Sequence, residues 1–268
     1  MSGKVDLEVD GAIAVVRFSN PPDGYMDDDT SAGLLQALDR IESADAIRVA
    51  VLTGADAGVF IRHFDVRILE ERGRALAARG LKFTEDRPVP PSPLHDALGR
   101  MERCPKPFIA ALNGVTMGGG FEIALGCDIR LAEAGDYQIG LPEANIGLLP
   151  GAGGTQRLPR LIGEARALEF MLTGRTVAPE KAEHYGLVSA CVDAPVLDHA
   201  LQMARGLCAK PAIALAHIKR LTRLGANDDM LAAERTLFCD LMVSDEGIEL
   251  MSKMNAGGDI LNPGGDND

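Results

Sequence analysis

The chain has 268 residues, enough to bury a sizeable core within one main domain. Apolar residues make up 46% but aromatic ones only 4%, with no Trp, so aliphatic side chains and alanine must fill the interior. A formal charge of −12 argues against a nucleic-acid partner, whose phosphates call for a basic face, and leaves room for no more than a local basic patch toward a phosphate-bearing ligand.

At the N-terminus, MSGKVDLEVDG has no apolar run behind a basic stretch and reads as no signal peptide. Val5 to Val9 and Ile13 to Phe18, on either side of Asp10-Gly11, read as a hairpin. Asp29-Thr30 can cap a following helix that carries Leu34, Leu35, Leu38 and Ile41 at helical spacing. Val49 to Leu52 is then a buried strand, and helix, strand and glycine turn recur over Leu94 to Gly114. Between them Arg67 to Pro93 is rich in basic residues and ends in PVPPSP, which predicts an exposed helix followed by a mobile loop. From Leu197 the pattern is helical: Leu197 to Cys208, Ala212 to Leu224, Asp228 to Val243 and Glu246 to Met254. The tail, NPGGDND, predicts disorder.

The five cysteines are scattered, odd in number and without CxxC spacing, which fits a reducing compartment. The longest uncharged run, Pro107 to Phe121, is too short and too rich in glycine to cross a bilayer, so a cytoplasmic protein without a membrane partner is expected. The five histidines are dispersed, with no HExxH or paired-cysteine pattern, and no dinucleotide fingerprint, P-loop or GxSxG elbow occurs. Neither a metal nor a separate cofactor is implied.

The most informative segments are NGVTMGGGFE, Asn113 to Glu122, and LPEANIGLLPGAGGTQRL, which contains Glu143. Three consecutive glycines let backbone amides approach a ligand, with an acid two residues after the last of them. With RVAVLTG, VFIRHFDV, FMLTGRTVAPEKAEHYGLV and DEGIELM they form an ordered series over most of residues 5 to 255 that resembles the crotonase superfamily, the enoyl-CoA hydratase and isomerase fold.

That resemblance implies an α/β spiral of repeated ββα units over residues 1–196, a helical C-terminal region over 197–257 that packs in trimer assembly, and a tail from 258 to 268. It implies an acyl-CoA thioester substrate, with coenzyme A part of the substrate, and a homotrimer or dimer of trimers. It places the oxyanion-hole amides at Phe64 and Gly119, Asp65, Val66 and Arg67 along the substrate, and Glu122 and Glu143 as catalytic acids. Two amides stabilise the developing thioester oxyanion, and two carboxyl groups share the proton transfers of hydration. Both acids being present favours hydration of a 2-enoyl-CoA over double-bond migration, which generally relies on the second acid alone. An isomerase, another hydrolase or lyase of this superfamily, or a catalytically silent acyl-CoA-binding or assembly subunit remain the alternatives.

The largest departure from the family pattern is Arg62-His63, where Ala-Gly is usual. His63 then either strains a loop that glycine tolerated, presents an imidazole near the thioester, or simply packs, and Arg62 is a second possible modulator. NPPDGYMDDDT lacks a basic residue often found near CoA and sets Asp23, Asp27, Asp28 and Asp29 nearby.

Overall fold

The computed structural model describes residues 3–223 and 228–257. Two sheets lie at its centre. In the first, β1 (Lys4–Asp10) and β2 (Ile13–Ser19) form the expected antiparallel hairpin, and β3 (Val49–Gly54), β5 (Phe108–Leu112), β7 (Ile129–Glu133) and β10 (Ala190–Val192) extend it in parallel, in the order β1-β2-β3-β5-β7-β10. The second holds β4 (Gly58–Ile61), β6 (Gly114–Met117), β8 (Ile139–Gly140) and β9 (Thr176–Val177), in that order.

The pairs β3/β4, β5/β6 and β7/β8 each give one strand to each sheet. Each is followed by a helix: α2 (Val66–Ala78), α4 (Gly119–Gly126) and α5 (Gly154–Ile162), the last after a 3-10 turn at Glu143–Ile146. This is the repeated ββα spiral, and it positions the site, because each turn of the spiral delivers a loop and a helix N-terminus to the same end of the sheets.

Period-two alternation sorts the side chains of the first sheet between two cores. Ala14, Val16, Ala50, Leu52, Phe108 and Ala110 face the main core with α1 (Asp28–Ser43) and α3 (Pro93–Arg103). Ile13, Val15, Val49, Val51, Ile109 and Ala111 face a second core closed by Val196, Ala200 and Ala204 of α8 (Val196–Cys208). The remaining helices are α6 (Glu164–Leu172), α7 (Pro179–Tyr185), α9 (Ala212–Arg223), α10 (Asp228–Met242) and α11 (Asp245–Asn255). Met242 and Met251 of α10 and α11 pack on Val66, Leu69, Ile146 and Leu148, a third cluster over the site.

One local expectation is revised and others are sharpened. The cap of α1 is Asp27, which accepts from the Thr30 N–H at 2.8 Å in a capping box, so Asp29 and Thr30 lie inside the helix. Sequence spacing could not choose among consecutive acids; the Gly3 N–H donating to Asp27 at 2.8 Å adds a partner from the residue just before β1. The basic stretch divides into α2 and an irregular segment from 79 to 92, whose Val89 docks on α10 through its N–H to Thr236 Oγ1 (3.1 Å). Of the three readings open for His63, backbone strain is the one that does not occur: among the described residues every positive φ belongs to a glycine. Leu224 and the tail from 258 to 268 lie outside the described residues.

Candidate active site

Glu122 is the fourth residue of α4 and is 3% exposed. Its Oε1 accepts the Ala152 N–H at 2.7 Å and the Gly154 N–H at 2.8 Å, at the N-terminus of α5, where the free amides and the helix dipole favour negative charge. Its second oxygen has no hydrogen bond among the described residues, and Glu122 lines a cavity of about 320 Å³. Burial drives the Glu122 pKa above the ordinary carboxylate range, against the pull of the two amides and of Arg157.

Glu143 opens the 3-10 turn, is 8% exposed and lines the same cavity. Gly118 is what lets it approach: this residue has φ +50°, and a Cβ there would stand 3.2 Å from Glu143 Oε1 and 3.3 Å from the His63 Cβ. Glycine is therefore required twice over, for its backbone and for the space beside the carboxyl group.

Phe64 and Gly119, the expected amide donors, lie side by side. Met26 N–H donates to the His63 carbonyl (2.9 Å) and Asp65 N–H to the Met26 carbonyl (2.8 Å), a parallel bridge that turns the Phe64 N–H away from Met26. Gly119, first residue of α4, lies beside it, since a Cβ there would stand 3.9 Å from Phe64 N and only 2.9 Å from Met26 Sδ. Phe64 and Gly119 both line the cavity, whose other walls are largely apolar: Val66, Leu69, Leu76, Ile146, Leu148, Phe238 and Met242.

His63 is 6% exposed and lines the cavity beside Gly118. Its Nδ1 lies 2.7 Å from the Phe64 carbonyl oxygen and its ring packs against Tyr25 at 4.7 Å. Asp65 and Arg67 lie outside the cavity lining: Asp65 caps α2 by accepting the Arg67 N–H (2.9 Å) and binds the Arg67 guanidinium at 2.7 Å. Arg62 and Arg67 both reach the Tyr25 ring, at 5.9 and 5.7 Å, and Arg62 Nε also donates to the Asp23 carbonyl (2.8 Å). Tyr25 thus gathers two arginines, with Asp23 and Asp65 beside them. Of the four nearby acids, Asp27 is used as a cap and Asp28 pairs with Arg72.

Sequence reasoning missed His95 and Arg157. His95 lines the cavity, and its Nε2 lies 2.7 Å from the Gly151 carbonyl oxygen. Burial, aided by Arg235 and Arg157, lowers its pKa to about 4, so the ring is neutral. Arg157, 8% exposed, donates to the Ala152 carbonyl (2.6 Å) and to Glu102 (2.9 and 3.1 Å). Ser-Pro-Leu-His reads locally as a helix start with Pro at its first position, and nothing in it signals a partner beyond residue 150.

The enoyl-CoA hydratase/isomerase family model matches residues 8–250, a span that holds the whole cavity lining and all strands but the start of β1. The chain belongs to the enoyl-CoA hydratase/isomerase family. Over 223 residues it is 35% identical to the (E)-benzylidenesuccinyl-CoA hydratase of Thauera aromatica, covering 82% of each chain. It is 30% identical over 257 residues to the short-chain-enoyl-CoA hydratase of Clostridium acetobutylicum, covering 92% of this chain and 93% of that one. The solved structure of Pseudomonas aeruginosa DspI is 34% identical, superposes with a TM-score of 0.71 and covers 89% of this chain and 95% of that one. The family relationship carries the fold and an acyl-CoA substrate class.

Proposed function

We propose that this protein adds water across the 2,3 double bond of an enoyl-CoA thioester to give a 3-hydroxyacyl-CoA. The observation that carries this reading is the pair of buried carboxyl groups, Glu122 and Glu143, brought from separate segments to one apolar cavity beside the Phe64 and Gly119 amides.

In this mechanism the two amides receive the thioester carbonyl oxygen and stabilise the enolate-like charge as water attacks the β carbon. Loss of one such donor typically costs about 100- to 1000-fold in rate. Glu122 holds the water and takes its proton, while Glu143 delivers a proton to the α carbon. A raised Glu122 pKa makes this carboxylate a stronger base than a solvated one. The anchored Oε1 and the second oxygen beside the cavity suit a base that must be held still with one lone pair available. An isomerase needs only one such acid, and Glu122 would then have no role to match its burial.

The patch around Tyr25, Arg62 and Arg67 is assigned to coenzyme A, and the apolar walls of the cavity to the acyl group. We assign assembly to a homotrimer or dimer of trimers on family grounds, with exposed Ile213 and Ile218 of α9 as apolar surface available to be covered.

The test follows loss of conjugated enoyl-thioester absorbance with crotonyl-CoA and with longer and ring-bearing enoyl-CoAs, beside Glu122→Gln and Glu143→Gln. The hydratase reading expects each variant to lower turnover at least about 100-fold. Turnover that survives Glu122→Gln but not Glu143→Gln selects the isomerase, and turnover indifferent to both rejects the carboxyl assignment.

A further inference from the structure

The backbone group that anchors Glu122 is itself held from its other end. The Gly151 carbonyl and the Ala152 N–H belong to one peptide unit, a single plane in which a trans bond points the two groups in opposite directions. The N–H end donates to Glu122 Oε1 at 2.7 Å, and the carbonyl end lies 2.7 Å from His95 Nε2. The Ser92 N–H reaches His95 Nδ1 from 3.2 Å, and the Ser92 hydroxyl lies 2.6 Å from the same nitrogen. Because a backbone N–H can only donate, Nδ1 is the acceptor and the ring proton sits on Nε2, which therefore donates to Gly151.

We propose that His95 is a positioning residue for Glu122, acting through the Gly151–Ala152 peptide. Donation into the carbonyl fixes the rotation of that peptide and polarises it, which strengthens the N–H bond at the far end. The chain of groups runs from Ser92 through the imidazole and the peptide to the carboxylate. Arg157 does not duplicate it: its bond goes to the Ala152 carbonyl, which belongs to the next peptide unit. Gly154 supplies the second amide from a peptide that His95 does not touch. The Gly151 backbone is also confined from outside, since a Cβ there would stand 2.3 Å from the Phe238 ring of α10. With these contacts in place, rotation of the peptide requires loss of the imidazole bond.

This role rests on the proposal that Glu122 takes part in turnover, and its test separates the two. His95→Phe removes the donor; His95→Gln can return an amide N–H to the Gly151 carbonyl. His95→Phe is expected to lower kcat about 10- to 100-fold with KM nearly unchanged, since a misplacement of about 1 Å at a reacting group can cost 100-fold. His95→Gln should recover most of that loss. In a Glu122→Gln background His95→Phe should lower residual turnover no further; an equal loss in both backgrounds would overturn the proposal. The infrared carboxyl band of Glu122, assigned by its disappearance in Glu122→Gln, should shift in His95→Phe and return in His95→Gln. An unmoved band in folded His95→Phe protein overturns the positioning role whatever the activity. Should Glu122→Gln leave turnover intact, the hydratase reading falls, and the band alone decides whether His95 sets the state of this carboxyl group.

Discussion

The sheet face under α8 and the cavity bounded by α2, α4 and α10 both exclude water, but with different materials. Under α8 the contacts are aliphatic throughout: Ile13, Val15, Val49, Val51 and Ile109 meet Val196, Ala200 and Ala204. Around the cavity, Glu122, Glu143 and His63 are buried among Val66, Leu69 and Ile146. Burying a carboxyl group opposes folding unless hydrogen bonds replace its water, and the paired amides of Ala152 and Gly154 are that replacement. One region contributes stability through area removed from water; the other draws on that stability to keep polar groups dry and fixed.

Substitutions should separate the two roles. The largest effect is expected for Glu122→Gln: turnover should fall about 100- to 10,000-fold, the usual range for a lost acid-base group, while the thermal midpoint stays near that of the parent. Enoyl-thioester absorbance and a melting curve check both halves. Ile109→Ala should do the opposite, lowering unfolding free energy by about 2–5 kcal/mol in a denaturant titration while folded molecules keep their kcat.

A smaller effect joins the regions through pH. His95, facing Arg235 of α10, Arg157 of α5 and Asp96 of its own helix, is depressed from 6.5 to about 4. Below pH 6.5 the unfolded chain takes up a proton that the folded site resists, so the stability this group contributes is present above 6.5 and lost as pH falls through about 4. Denaturant midpoints measured across that window should slope less steeply in His95→Gln than in the parent.

Gly118→Ala should cost about 1–3 kcal/mol of stability, because φ +50° with ψ −130° is backbone that residues with a Cβ scarcely adopt, and should lower kcat further by crowding Glu143, giving a larger fractional loss in activity than in folding. The smallest effect belongs to Arg67→Ala: its exposed pair with Asp65 is worth under about 1 kcal/mol to the fold, whereas KM for the CoA ester should rise measurably.

Much of this molecule was legible beforehand because its signals are local. Alternation in β2, β3 and β5 dictates which side chains enter a core, and the helical periods after residue 196 place α8 to α11 within a residue or two. The ββα spiral and the grouping of Glu122, Glu143, Phe64 and Gly119 in one site came instead from the resemblance of the ordered motifs to the crotonase superfamily, since spacing alone could not bring them together. The cap of α1 was assigned two residues late because three consecutive acids satisfy the same local rule, and only the contact from Gly3 singles out Asp27.

Composition and periodicity therefore determined the first hairpin, the central strands and the C-terminal helices, because each depends on residues close together in the chain, while the chemistry was implied by the family resemblance of the motifs. Tertiary structure alone decided that His63 fits without backbone strain, that Asp65 and Arg67 lie outside the cavity lining, and that His95 reaches Gly151. The last of these depends on segments 56 residues apart meeting within hydrogen-bond distance, and nothing in a local pattern encodes the orientation of a peptide plane in a distant loop.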